Sequence, residues 1–380
     1  MATEQDRDAP IVSVAACPAY DPAALRQVLT ATLAPLGGID RFVRPGMRVL
    51  LKPNLLAAAP LERAITTHPA LVQAVADLVE EAGGTVLVGD SPGGSGESGP
   101  SVWHRSGMAE VAGRATARLV PFDGAVWQRL NGHDYFIARP MLDADLVINL
   151  PKLKTHIFAL YTGAVKNLFG AIPGTRKREV HCRAPGVEEF SHTLVDLLAL
   201  IRPGLTIMDG VAGQEGNGPG MGGTARHYGC LAASTDPVAL DAVVTQALGY
   251  RPGEVRHLAQ AGARGLGTSD PGAVRVVGDR QALDFGAVSL PRARWYFRVP
   301  GWVSAPLRGA VRLRPRLDPS ACVGCAACVE VCPRDAIAPG QPPVFDLDRC
   351  VGCFCCAEVC PQGAIAPHRN LIARLIGVRV

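Results

Sequence analysis

Ala144-Asp-Leu-Val-Ile-Asn-Leu-Pro-Lys-Leu-Lys-Thr-His156 decides the fold. Residues 144–149 read as a strand whose centre, Leu146-Val147-Ile148, is apolar on consecutive positions. Such a strand buries both of its faces, as in a parallel sheet covered by helices. Polar residues then follow in a burst: Lys152, Lys154 and His156. In an open α/β sheet, ligands gather beyond the carboxyl ends of the strands, so this burst is a candidate site.

The same texture extends in both directions. Strands are expected at 11–16, 48–52, 85–88, 205–208, 229–233 and 273–277. Helices are expected at 22–36, 68–82, 190–201, 237–248 and 253–263. Asp21-Pro22 opens the first helix with an N-cap and a proline in the first turn, and Asp236-Pro237 repeats the device. Strands alternating with helices over residues 1–289 give an α/β class, a mostly parallel sheet with helices on both faces. Residues 290–317 break the pattern, with seven arginines, no acidic residue, and Trp295, Tyr296, Phe297 and Trp302. They read as a packing linker. The functional alternative is a membrane-surface or partner-docking segment.

The chain has 380 residues, 48% hydrophobic and 19% charged. That length accommodates two or three domains of about 150 residues, and the composition excludes intrinsic disorder. A net charge of +4, with no long Lys/Arg run, speaks against nucleic acid. No apolar run reaches the ~18 residues of a membrane span, and the polar first ten residues do not resemble a signal peptide. A soluble, cytoplasmic protein is expected. Of 38 basic residues, only five are lysine, and Lys152, Lys154, Lys166 and Lys177 fall in one short window. Lysine is kept where a compact ammonium matters.

Nine of the twelve cysteines lie between Cys322 and Cys360. Without an export signal, that clustering indicates metal rather than disulfides. A segment beginning at Cys322 recurs 28 residues later at Cys350, and each copy reads C-x2-C-x2-C-x3-C-P. In this spacing three thiolates serve one [4Fe–4S] cluster, and the fourth crosses to the cluster of the other copy. The expected sets are Cys322, Cys325, Cys328 and Cys360 for one cluster, and Cys350, Cys353, Cys356 and Cys332 for the other. Zinc fits badly, since paired CxxC knuckles need neither the third cysteine nor the trailing Cys-Pro. Cys355 is extra and reads as an unligated bystander. Residues 318–368 thus resemble a bacterial-type two-cluster ferredoxin, a small α+β domain, followed by a tail at 369–380.

A second resemblance rests on Lys52-Pro-Asn-Leu-Leu, Thr67-His-Pro, Asn149-Leu-Pro-Lys-Leu-Lys-Thr-His156, Thr162-Gly-Ala-Val-Lys-Asn-Leu-Phe-Gly170 and Thr235-Asp-Pro-Val-Ala-Leu-Asp241. Together these resemble the domain of unknown function 362 (DUF362) family, whose members are often joined to a two-cluster ferredoxin segment. The resemblance implies no particular reaction.

From the residues themselves, Lys154, His156, Lys166, His68 and His181 are the candidate catalytic groups. Lys52, Asn54, Asp90, Lys152, Asn167 and Asp209 are the candidate substrate-binding groups. Clustered ammonium and imidazole groups attract an anion and supply protons. Taken singly, such a residue at a strand end more often caps a helix or forms an ion pair. Two glycine-rich segments, 89–101 and 210–223, are expected to be loops that close over the ligand. The expected function is an iron–sulfur oxidoreductase, fed by a redox partner protein, that passes low-potential electrons to an anionic small molecule. The alternative is a non-catalytic electron carrier or assembly module whose large domain binds a partner.

Overall fold

A computed structural model describes residues 9–93, 99–114, 116–174, 176–291, 294 and 313–369. The strands are β1 (Ile11–Ala16), β2 (Arg48–Pro53), β3 (Thr85–Val88), β4 (Arg118–Leu119), a hairpin β5 (Ala125–Leu130) and β6 (His133–Ala138), and β7 (Leu146–Leu150). There follow β8 (Lys152–His156), β9 (Leu160–Thr162), β10 (Leu205–Gly216), β11 (Gly223–Ser234) and β12 (Arg275–Gly278). The main sheet has ten strands, in the order β12-β1-β11-β10-β7-β2-β3-β4, with β8 and β9 attached beside β10. Pairing is mostly parallel. The antiparallel exceptions are β11 against β1 and β10, and β9 against β8.

The expected apolar strands are where the sheet is most buried, and alternate residues face different cores. Val49, Leu51, Ile148 and Leu150 join a cluster with the helices Pro22–Leu33 and Pro69–Glu81. Leu50 and Val147 join another with the helices Val187–Ile201 and Pro237–Ala247. Helices therefore cover both faces, as a parallel sheet requires. Asp21 and Asp236 cap their helices through side-chain oxygens.

Two expectations are corrected. Lys152–His156 is not a loop but the strand β8, every residue of it buried. Residues 210–216 are not a lid but the continuation of β10, which turns tightly into β11. The glycines there serve close approach rather than mobility. A Cβ on Gly213 would sit 2.2 Å from the Leu153 carbonyl, and one on Gly210 would sit 2.6 Å from Cys230 Sγ. Of the other glycine-rich segment, residues 94–98 lie outside the described residues, as does most of the 290–317 stretch.

The cysteine-rich unit is a structural duplication. Strand β13 (Leu313–Leu317) pairs with β16 (Ile365–Arg369), and β14 (Ile337–Ala338) with β15 (Val344–Phe345). The short helices Ala327–Val331 and Cys355–Val359 occupy equivalent places. Three pairs of left-handed residues stand 28 apart: Gly324 and Gly352, Ala326 and Phe354, Asp335 and Gly363. Turns of this kind wrap a short chain tightly round a small volume. Cys328, Val331 and Ile337 merge with the core of the Val187–Ile201 face, so the unit is packed onto the sheet domain. No helix among the described residues is long and apolar enough to cross a membrane.

Candidate functional site

The cysteines gather into two groups. One pocket is lined by Cys322, Cys325, Cys328 and Cys360, and a second by Cys332, Cys350, Cys353 and Cys356. Each group takes three residues from one copy and the last cysteine of the other. Backbone N–H groups aim at the sulfurs: Ala336 N to Cys332 Sγ at 3.2 Å, Ala364 N to Cys360 Sγ at 3.3 Å, and Gly352 N to Cys350 Sγ at 3.4 Å. Such donors stabilise thiolates. Among the described residues no three His, Cys, Asp or Glu groups converge as one metal ion needs. Each set of four cysteines instead lines a small pocket of its own.

Between the sheet domain and this unit lies a cavity of about 510 Å3. Asn54, Asp90, His156, Lys166, Asn167 and His181 line it from the sheet side, and Cys325, Cys355 and Glu358 from the other. Of the eleven candidate groups of the α/β domain, those six reach the cavity wall. Lys154 stands just behind. Its Nζ donates to Asn54 Oδ1 at 2.7 Å and to the Ile65 carbonyl at 2.7 Å. A chain of amides then runs inward, from Asn54 Nδ2 to Asn167 Oδ1 and from Asn167 Nδ2 to Asn149 Oδ1. Lys52 is fully buried and donates to Asp90 Oδ1 at 2.8 Å.

Lys152, Asp209 and His68 form a separate cluster. Asp209 Oδ2 accepts from Lys152 Nζ at 2.9 Å and from the His68 N–H at 2.8 Å, and its Oδ1 accepts from the Tyr20 hydroxyl at 2.7 Å. The His68 ring stacks on Tyr20 at 3.6 Å, and its Nδ1 caps the helix Pro69–Glu81. Asp209, Lys152 and Tyr20 partner one another, so the cluster fixes the loop ahead of that helix. Tyr20 had no sequence signal.

The cavity is rich in ammonium groups that lack a carboxylate. Lys177 Nζ donates to the carbonyls of Ser91 and Pro92 at 2.6 and 2.8 Å. Lys166 Nζ finds no hydrogen-bond acceptor among the described residues and lies 6.0 and 5.9 Å from the Phe169 and Phe190 ring centres. Burial depresses all three. It pulls Lys154 down to about 7, helped by the nearby charges of Lys166 and Lys152, and pulls Lys177 down to about 7 against the opposing pull of Asp90. It lowers Lys166 as well.

His156 Nδ1 accepts from the N–H groups of Phe158 and Ala159, at 3.0 and 3.3 Å. In the neutral ring the proton is therefore on Nε2, which faces Glu358 Oε1 at 3.2 Å. Burial holds the ring at about 4, so it is neutral at physiological pH. Burial alone would raise the Glu358 carboxyl, but His156, Lys166 and His181 outweigh it and hold the group at about 2. Glu358 has an exact counterpart in the first copy, Glu330, which is exposed. Nothing in the sequence separates the two.

The hairpin tip of β10 and β11 also grips this helix. Gly220, at φ +81°, would carry a Cβ 2.6 Å from the Glu358 carbonyl oxygen. Gly220→Ala is expected to loosen the docked unit, at a cost of about 1–3 kcal/mol. Faster hydrogen exchange over residues 355–359, with little change in β2 or β7, is the signature; unchanged exchange there rules the contact out as a clamp.

Comparison with known proteins agrees with both halves. The family described as "Domain of unknown function (DUF362)" matches residues 49–246, and a 4Fe-4S dicluster domain matches residues 314–365. The thylakoid-associated protein sll1697 of Synechocystis sp. is 40% identical over 260 residues, 67% of this chain and 79% of that protein. Among solved structures, the lactate racemase apoprotein of Thermoanaerobacterium thermosaccharolyticum is 12% identical with a TM-score of 0.36, over 55% of this chain and 52% of that one. A structural-genomics protein from Thermotoga maritima is 10% identical with a TM-score of 0.35, over 57% of this chain and 56% of that one. The chain belongs to the DUF362 family and carries a C-terminal 4Fe-4S dicluster domain.

Proposed function

We propose that this protein is an iron–sulfur oxidoreductase that reduces an anionic small molecule held between its two units. Cys322, Cys325, Cys328 and Cys360 would hold one [4Fe–4S] cluster and Cys350, Cys353, Cys356 and Cys332 the second. When bound, such clusters supply single electrons at a potential set by their surroundings. The observation that carries the reading is the cavity between the two units, which has Cys325 in its wall on one side and, on the other, Lys166 and Lys177, neither of them in an ion pair among the described residues.

Each residue has a part. Lys166 attracts the anion, Lys177 in the wall and Lys154 behind it add positive field, and the amide chain from Asn54 to Asn149 keeps Lys154 in place. His156 Nδ1 is taken by two backbone N–H groups and its Nε2 lies 3.2 Å from Glu358 Oε1, so its part is to position Glu358 and the docked helix. Lys166, facing the cavity, is the proton source for a reduced product, while burial pulls His181 down to about 4 and keeps it a neutral ring in the wall. The electrons come from a redox partner protein. We place the protein in the cytoplasm; cell fractionation distinguishes this from a membrane-associated pool of the kind its cyanobacterial relative's name describes.

Oxygen-free protein should contain about eight irons per chain and a visible absorbance that bleaches with dithionite. Cys360→Ser is expected to lower the iron content towards one cluster, as Cys328→Ser does, because both belong to the same set. A colourless protein with bound zinc, or iron retained in full by both variants, removes the electron-transfer reading.

A further inference from the structure

The apolar part of the cavity wall is built of rings. Phe158, Phe169 and His181 face it, each about 8% exposed, together with the more deeply buried Phe190. His181 stacks on Phe190 at 4.9 Å, while Phe169 and Phe158 meet His181 edge-on at 5.6 and 6.4 Å. Aromatic walls of this kind offer both faces and edges, and a flat ring fits among them better than a puckered or branched aliphatic body.

The polar part is sparse. Glu358 is occupied by His156, Asp90 by Lys52, and Arg178 by the Cys332 carbonyl at 2.6 Å. That leaves two wall ammonium groups outside any ion pair among the described residues: Lys177, held by two carbonyls, and Lys166, which has no hydrogen-bond acceptor there. The open ammonium of Lys166 beside rings suits a single, delocalised negative charge. A phosphate dianion needs more donors to offset its desolvation. Three buried atoms of wall residues make no hydrogen bond, His156 Nε2, Thr162 Oγ1 and His181 Nδ1, and the first of them lies against Glu358. The other two offer a second polar anchor for a heteroatom at the far side of a ligand.

We propose that the cavity takes a flat aromatic carboxylate, its carboxylate on Lys166 and its ring against Phe158, Phe169 and His181. This rests on the reading of the cavity as the site for an anionic substrate and narrows the class of that substrate.

Calorimetric titration of the full-length, oxygen-free protein tests it with four probes: 2-naphthoate, its saturated counterpart decahydro-2-naphthoate, 2-naphthalenemethanol and inorganic phosphate. The expected result is that 2-naphthoate binds at least tenfold more tightly than the saturated acid, and more tightly than phosphate. Lys166→Met should weaken 2-naphthoate at least tenfold while leaving the neutral alcohol unchanged. Phe169→Leu should shrink the preference for the aromatic acid, and it tests the ring wall even where Lys166→Met does not fold. Equal affinity for the two acids, or phosphate as the tightest probe, overturns the aromatic class and leaves the anionic site standing. If no anion binds at millimolar concentration, both fall together.

Discussion

Asp209→Ala is expected to destabilise the sheet domain by about 3–5 kcal/mol, the usual consequence of leaving one member of a buried ion pair alone. Asp209 is completely buried, and three donors converge on its two oxygens. With the carboxylate gone, the Lys152 ammonium keeps only the Tyr20 hydroxyl, at 2.8 Å. The His68 N–H, at the mouth of its helix, loses its acceptor. Burial already lowers the Lys152 pKa against the pull of Asp209, so without that pull the lysine becomes neutral more readily. Asp209→Asn keeps an acceptor oxygen and should lose less. For a chain of this size, an effect of 3–5 kcal/mol moves the thermal midpoint by roughly 4–6 °C. A shift under 2 °C for the alanine variant would falsify the structural role of this cluster and return Asp209 to the list of ligand-binding groups.

The second large effect is on pH. Lys154 and Lys177 are held near 7 in the ligand-free cavity. An entering anion favours their charged forms. Below pH 7 both lysines are already charged and binding is insensitive to pH. Above it each must take up a proton, so affinity falls about tenfold per pH unit for each lysine coupled to the ligand. The groups facing Lys154 are Lys166, Lys152, Glu358 and Asp90, and those facing Lys177 are Asp90, Lys52, Lys166 and Glu358. Stability has the opposite sign. Between about 7 and the ordinary 10.5 the unfolded chain binds more protons at these lysines than the folded one, so their contribution to stability rises with pH. Titrations with 2-naphthoate at pH 6 and pH 8.5, in buffers of different ionisation heat, measure the proton uptake directly. Affinity that stays flat across this range sinks the coupling.

Much of the sheet was legible because its signals are local. Consecutive apolar residues marked β3 and β7, and Asp-Pro pairs marked two helix starts. The cysteine spacing was equally local, and the two gathered sets follow it. What escaped the sequence depends on contacts across the chain. Strand β8 looked like a loop because Lys152, Lys154 and His156 are polar, yet each is buried against a partner from a distant segment: Asp209, Asn54 or Glu358. Residues 210–216 looked like a lid because glycine is ambiguous. Here it makes room for the Leu153 carbonyl and the Cys230 side chain. Lys152 and Asp209 were recognised as important but assigned to ligand binding, because spacing along a sequence does not reveal whether a charged group faces a cavity or another charge.

The paired glutamates have an evolutionary consequence. A duplicated ancestor begins with two interchangeable halves, so either Glu330 or Glu358 was once free to settle beneath the larger domain. Once the later half had done so, its helix came under selection from a neighbour that the earlier half never meets. The halves of this tail should therefore diverge at different speeds among its descendants, slowest around Glu358, even while their cysteines stay in step.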